Sequence, residues 1–329
     1  EVGKQDIEQL PAQLSPCPTF SHSQIYRSPY ITPSNSINTM NHPRNPRFTH
    51  LLSLFLIILF LVAFVTSQEV DDEKDFNYIE GSGKGPEDWG DLKEEWATCK
   101  TGNMQSPIDL FGRRVEFAPL SEEIHKFYNP GEATLKNRGH DISVEWKGEN
   151  SKININGIDY ILRQVHWHSP SEHAINGQRY ALELHIVHQS QDNKIAVIGL
   201  LYNLGRPDPF LGKLEEKIKS LSNTSTEVDI GIVDPKEIRI GGNKYYRYRG
   251  SLTTPPCTEG VIWTVNKQIA TVSKEQVKLL REAVDDGARE NARPLQPRNG
   301  RPVKLYYQRW KTDEVYILKT GSGFGDASF

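Results

Sequence analysis

QVHWHSPSEHAINGQRYALELHIVH, residues 164–188, holds five of the chain's ten histidines, at positions 166, 168, 173, 185 and 188. QVHWH and YALELHIVHQ read as strands, and SPSEHAINGQR between them is long enough for a hairpin-type connection. Side chains two apart leave the same face of a strand, so His166 and His168 point the same way. His185 and His188 differ by three and face opposite sides, so only one of them can complete a facing trio. Gln164 shares the face of His166 and His168, and Glu183 shares that of His185. Choosing His185 therefore gives each strand an acceptor two residues before a ligand, placed to take the ring N–H that a metal leaves unused. Choosing His188 gives no such partner. Three imidazoles with an open fourth position describe a catalytic zinc site, and zinc suits all-imidazole ligation. The bland alternative is a set of satisfied structural histidines, since HxH alone is a weak signal; the two correctly phased partners favour the metal.

Outward from this segment, runs of five to nine aromatic and aliphatic residues alternate with Gly, Asn, Asp and Pro clusters from Trp89 onward, which predicts a strand-rich domain. Two helices stand out. PFLGKLEEKIKSL (209–221) puts Phe210, Leu214, Ile218 and Leu221 on one stripe, and SKEQVKLLREAV (273–284) opens with Ser273 and Gln276 at capping-box spacing. With no repeat of fixed period and no sharp linker after residue 89, one mixed domain over 89–320 follows, with a short tail at 321–329. Residues 68–88 read as a flexible lead-in. The glycines at 81, 83 and 85 have no preceding strand and carry no phosphate role.

Residues 1–50 are rich in Ser, Pro, Asn and Gln and lack periodicity. LLSLFLIILFLVAFV (51–65) is short for a membrane span and fits a secretory signal core, with Arg44 and Arg47 upstream and Val65-Thr66-Ser67 as the cleavage region. A signal peptide is expected over 40–67, beginning at Met40, with 1–39 extraneous or disordered upstream sequence; the alternative is a genuine extension with an internal signal anchor. The mature chain then keeps two cysteines, Cys99 and Cys257, in an oxidising compartment. A bridge between them is favoured over two unrelated buried thiols. Asn223-Thr224-Ser225 makes Asn223 a candidate glycan site. A net charge of −3 over 329 residues, with no basic stripe, leaves no footprint for nucleic acid.

The histidine segment, together with QSPIDL (105–110), NRGHDISVEW (137–146), GSLTTPPCTEGVIW (250–263) and NARPLQPRNGR (291–301), resembles the α-class carbonic anhydrases, the secreted plant members in particular. The resemblance implies an α+β, mostly β single domain on a large central, mostly antiparallel twisted sheet with peripheral helices. It implies Zn(2+) on His166, His168 and His185, the trio that strand parity selects. Gln164, Glu183 and Asn291 would support those ligands, Asn291 through its backbone carbonyl. Glu172 would orient Thr253, with Thr254 beside it, and His140 would shuttle protons at the mouth of the cleft. Val187, Val197, Leu252, Thr253, Thr254, Val261 and Trp263 would hold the substrate. Cys99 and Cys257 align with the disulfide of extracellular members, while His173 and His188 match buried structural positions.

The implied reaction is reversible hydration of carbon dioxide to bicarbonate and a proton, through hydroxide generated at zinc near neutral pH. The implied partners are that small-molecule substrate and sulfonamide and anion inhibitors, with no nucleic acid, no membrane span in the mature form, and a monomer or homodimer as the assembly. The signal directs the chain to the secretory route and the extracellular space or apoplast, with the plastid stroma as the alternative destination. The competing function is a non-catalytic storage, nectar or recognition protein on the same scaffold; such proteins typically lose a ligand histidine. A zinc hydrolase is disfavoured because HExxH and a carboxylate ligand are missing. Asp141, Ser143 and Asp91, the last where animal enzymes place a water-ordering Tyr, depart from the family pattern near the shuttle.

Overall fold

The structure is a computed structural model that describes residues 75–110, 115–117, 124–221, 227–284 and 287–307. The upstream segment, the signal peptide, Asn223 and the C-terminal tail lie outside the described residues. Thirteen strands among the described residues join one sheet. They are β1 (Val115–Phe117), β2 (Ile124–Phe127), β3 (Gly131–Asn137), β4 (Ile142–Trp146), β5 (Lys152–Ile155), β6 (Ile158–His168) and β7 (Leu182–Gln189). There follow β8 (Ile195–Leu204), β9 (Glu227–Val233), β10 (Lys244–Ser251), β11 (Glu259–Asn266), β12 (Ala270–Val272) and β13 (Val303–Tyr307). The main path runs β1-β13-β10-β11-β8-β7-β6-β4-β3-β9. The β1–β13, β8–β11 and β8–β12 ladders are parallel and the others antiparallel, as expected for a mostly antiparallel sheet.

Period-two alternation divides the centre of this sheet into two chemistries. Val165 and Trp167 of β6, with Leu184 and Ile186 of β7, enter the larger core beneath two helices, α1 (Pro209–Leu221) and α2 (Lys274–Val284). Trp167 stacks on Phe210 of α1 with ring centroids 6.3 Å apart. The intervening side chains, Gln164, His166, His168, Glu183 and His185, leave the opposite face. A second apolar cluster containing Val197, Leu252, Val261 and Trp263 covers that side. Burying a bulky apolar side chain is worth about 1.5–3 kcal/mol, so a one-residue slip that drove Trp167 and Ile186 to the polar face is strongly disfavoured.

Both helices carry the predicted patterning. Phe210, Leu214, Ile218 and Leu221 are buried along one stripe of α1. At the start of α2 the reciprocal cap forms: Gln276 N–H donates to Ser273 Oγ at 3.2 Å and Ser273 N–H to Gln276 Oε1 at 3.3 Å. Gln276 also takes the Asp208 N–H (2.8 Å) and gives its own amide N–H to the Asp208 carbonyl (2.9 Å), stitching α2 to the start of α1. Ser273→Ala should cost about 1 kcal/mol in urea unfolding. Gln276→Ala should cost more, because it also strands the polar groups of Asp208.

One boundary differs from expectation. Residues 75–88, expected within a flexible lead-in, form hydrogen-bonded turns, with Trp89 Nε1 donating to the carbonyls of Asn77 and Lys84 (both 3.1 Å). The reason is aromatic: Phe76 is buried and meets Trp89 and Trp96 edge-on, at 5.3 and 6.1 Å between centroids. Among the described residues no helix is long and apolar enough to cross a membrane.

Candidate metal centre

The β6–β7 ladder sets His166 directly opposite His185 and His168 opposite Glu183. The three imidazoles are buried, with ring centroids 4.6–5.0 Å apart. One ring nitrogen from each lies within 4.8 Å of the others. Their outer nitrogens are all engaged. His166 Nδ1 meets Gln164 Oε1 at 2.8 Å, His168 Nδ1 the Asn291 carbonyl at 2.7 Å, and His185 Nε2 the Glu183 carboxylate at 3.0 Å. Those partners accept, so the outer nitrogens donate and the inner ones, His166 Nε2, His168 Nε2 and His185 Nδ1, present lone pairs. Burial, then the nearby Arg138, His168 and His185, hold His166 well below the ordinary imidazole range, so it is neutral.

The inner nitrogens of His166 and His185 stand 3.2 Å apart. Two lone pairs at that distance repel, whereas a tetrahedral ion with Zn–N bonds of about 2.0–2.1 Å separates its ligand nitrogens by about 3.3 Å. Among the described residues, His168 Nε2 is buried with no hydrogen-bond partner, as is Glu172 Oε2, 3.7 Å away. The donor set and its spacing therefore fit zinc. Gln164, Glu183 and the Asn291 carbonyl each meet one ring.

Glu183 does more than the sequence indicates. It also accepts from the His173 backbone N–H (2.8 Å) and from His173 Nδ1 (2.7 Å), while His173 Nε2 meets the Tyr248 hydroxyl at 2.6 Å and Ser106 Oγ meets the same hydroxyl at 2.8 Å. Burial alone would raise the Glu183 carboxyl, but His173 and His185 outweigh it and hold it well below the usual range. His173 is thus the residue that keeps Glu183 aimed at a ligand. His188 is in the opposite core, against the Tyr128 hydroxyl at 2.9 Å, and burial pushes its imidazole down to about 3.

Three expectations change. His140, expected at a cleft mouth, is 0% exposed; its ring packs 5.0 Å from that of Phe76, whose burial draws the N-terminal segment over it. The expected bond from Thr253 to Glu172 is not among the hydrogen bonds of the described residues: Glu172 Oε1 accepts the Arg293 backbone N–H (2.9 Å), and Oε2 turns toward His168. Asp91 is exposed and paired with Lys100 at 2.7 Å, so it does not line the site; its charge finds a partner at the surface.

Five of the apolar residues come together in one cluster. Val197, Leu252, Val261 and Trp263 are buried together, Val187 packs against them, and the Trp263 ring is 4.8 Å from that of His185. Thr253 and Thr254 are buried beside Leu252, and Thr254 Oγ1 has no partner among the described residues. Cys99 and Cys257 are joined in a disulfide. Arg293, which sequence reasoning did not assign, is buried. Its guanidinium donates to Gln105 Oε1 and to the carbonyls of Ser106 and Cys99, each at 2.8 Å. Burial lowers it to about 10, leaving it charged at neutral pH.

Residues 84–307 match the family model described as eukaryotic-type carbonic anhydrase. The chain is 50% identical over 260 residues to alpha carbonic anhydrase 7 of Arabidopsis thaliana, a match covering 79% of this chain and 94% of that protein. Among solved structures it is similar to dioscorin complexed with ascorbate, with a TM-score of 0.69 and 48% identity over 72% of this chain and 99% of that one. It is also similar to the α-carbonic anhydrase of Thermovibrio ammonificans in complex with sulfanilamide, with a TM-score of 0.63 and 35% identity over 70% of this chain and 98% of that one. A match of that extent, on a sheet that brings three lone-pair-bearing imidazoles together, means that the chain belongs to the eukaryotic-type, or α-class, carbonic anhydrase family.

Proposed function

We propose that this protein is a zinc-dependent carbonic anhydrase that interconverts carbon dioxide with bicarbonate and a proton. The observation that carries the reading is the convergence of buried inner nitrogens from His166, His168 and His185, with the outer nitrogen of each already bonded. When bound, zinc supplies a Lewis acid that brings the pKa of water in its open position to about 7. Gln164, Glu183 and the Asn291 carbonyl hold the three rings in one tautomer and orientation. The wall of Val197, Leu252, Val261 and Trp263 receives an apolar gas and keeps bulk water away from it. Glu172 Oε2 is the acceptor available to the Thr253 hydroxyl in the reacting complex. His140 takes the proton and passes it to buffer, a task suited to an imidazole near neutral pH.

The test is zinc content and stopped-flow carbon dioxide hydration on residues 68–329. We expect one zinc per chain, hydration inhibited by sulfonamides, and a fall in kcat for His140→Ala in weak buffer that added imidazole partly restores. Stoichiometric zinc with hydration no faster than buffer would sink the enzyme reading. It would leave the alternative of a non-catalytic storage, nectar or recognition protein, a reading that the likeness to dioscorin supports. Retention of all three histidines and Glu172 favours catalysis. Entry to the secretory pathway by the signal at 40–67, with the apoplast or plastid as destination, belongs to the same proposal and is testable by N-terminal sequencing of the mature protein.

A further inference from the structure

Beside the family's histidines this chain places a buried ion pair. Arg138 and Asp141, 3% and 0% exposed, flank His140 in the turn between β3 and β4. Arg138 Nε donates to Asp141 Oδ1 at 2.8 Å, its terminal nitrogen reaches Oδ2 at 2.5 Å, and its backbone N–H donates to the Asp141 carbonyl at 3.0 Å. Asp141 Oδ2 is also 3.6 Å from His140 Nε2, close enough for charge to act although too long for a hydrogen bond. We propose, resting on the carbon dioxide hydration reading above, that Arg138 and Asp141 form a positioning pair: Arg138 fixes the carboxylate, and the carboxylate holds the His140 ring and receives its charge when the ring takes up a proton.

A fully buried imidazole resists protonation, because burial disfavours the charged form. A fixed anion at 3.6 Å offsets that cost. Burial alone would raise the Asp141 carboxyl, but Arg138 and His140 and the bond from Arg138 outweigh it and hold it at about 2, so it is ionised throughout the neutral range. Basic groups also stand near His140 among the described residues. His168 acts on Asp141, His140 acts on His166, and Arg281 reaches the His140 carbonyl at 3.4 Å. The Phe76 ring and Asn291 Nδ2, which donates to the same carbonyl at 3.0 Å, border His140 without adding charge. In the proposed step one proton passes from water in the site to His140 and then to buffer, and no other bond changes.

A turn staple with no part in proton transfer would have the same bonds, so the test must separate the two. Asp141→Asn is the direct variant. Arg138→Gln/Asp141→Asn guards against misfolding, since two amides bond to each other without charge. In the full enzyme, kcat and kcat/KM for hydration are measured across pH in weak buffer. Removing the anion should lower the His140 pKa, moving the rising limb of kcat to acid by about one unit and cutting its plateau by roughly three- to tenfold. The ratio kcat/KM should stay within about twofold, because it reports events before proton release. In a His140→Ala background neither variant should change kcat further. Imidazole NMR titration of His140 supplies a readout independent of turnover, with the same acid shift expected. An unshifted His140 titration, an equal loss in the His140→Ala background, or kcat and kcat/KM falling together would each overturn the pair's role. A wild-type enzyme that hydrates nothing while its His140 titration shifts on substitution would overturn the catalytic reading and leave the pair standing.

Discussion

His168→Ala should remove stoichiometric zinc and, with it, the hydration activity, a loss on the order of 10³-fold or more in kcat/KM. The scale follows from the positions around it. Partners that merely orient a ligand are worth 10–100-fold in metal affinity or activity, so Gln164→Ala, which frees His166 Nδ1 from its 2.8 Å acceptor, should fall in that range. Losing a ligand must cost more than losing its support. His168 is the sharpest choice of the three because its Nε2 is buried without a hydrogen-bond partner among the described residues, so its removal strands no protein group on the metal side of the ring. Truncation also removes its Nδ1 bond to the Asn291 carbonyl, but Asn291 keeps its side-chain bonds to Ser169, His140 and Trp167 and should hold its place. Metal analysis and circular dichroism on the same sample would separate loss of zinc from loss of fold. A His168→Ala protein that retained one tightly held zinc would show that the ion is bound elsewhere.

Much of this site was legible because β-strand periodicity is a strict rule that needs only neighbours in sequence. His166, His168, Gln164, His185 and Glu183 all follow from period two on adjacent strands, and their register matches that reading. The stripe of α1 and the cap of α2 are likewise local patterns. What the sequence did not disclose lies in contacts that carry no period. His173 meets Tyr248 across 75 positions, and Arg293 reaches Gln105 across 188. Phe76 covers His140 from a segment whose glycines and acidic residues suggest looseness, although one buried aromatic ring is enough to order it. The Thr253–Glu172 pairing illustrates the reverse limit. A family motif places both residues in the site, but which donor a carboxylate accepts depends on fractions of an ångström, and here Glu172 Oε1 takes the Arg293 N–H.

Reduction of Cys99–Cys257, or its replacement by Cys99→Ser/Cys257→Ser, should destabilise the fold by up to about 5 kcal/mol and loosen the threonine loop of the site. The bond spans 158 positions, and the loop-closure entropy it removes from the unfolded chain sets that figure. Domain stabilities are of order 5–15 kcal/mol, so the reduced protein should unfold at a much lower urea midpoint. Its m-value should rise, because an unfolded chain without the bridge exposes more surface. The site is affected through a short path. Cys257 N–H donates to the Thr254 carbonyl at 2.9 Å, and its own carbonyl accepts from Gln105 Nε2 at 3.1 Å. On the other side of the bridge, the Cys99 carbonyl accepts from Arg293, whose backbone N–H holds Glu172. The disulfide therefore closes a ring of contacts that runs from Thr253 and Thr254 to Glu172. Below its unfolding midpoint the reduced enzyme should keep its zinc, since no ligand belongs to that ring, but lose kcat/KM by roughly tenfold as the threonines lose their placement. Urea titrations with and without reductant, paired with zinc analysis and hydration rates, would check both halves. An unchanged midpoint would refute the stability argument, and a reduced enzyme with full kcat/KM would show that the threonine loop is held without the bridge.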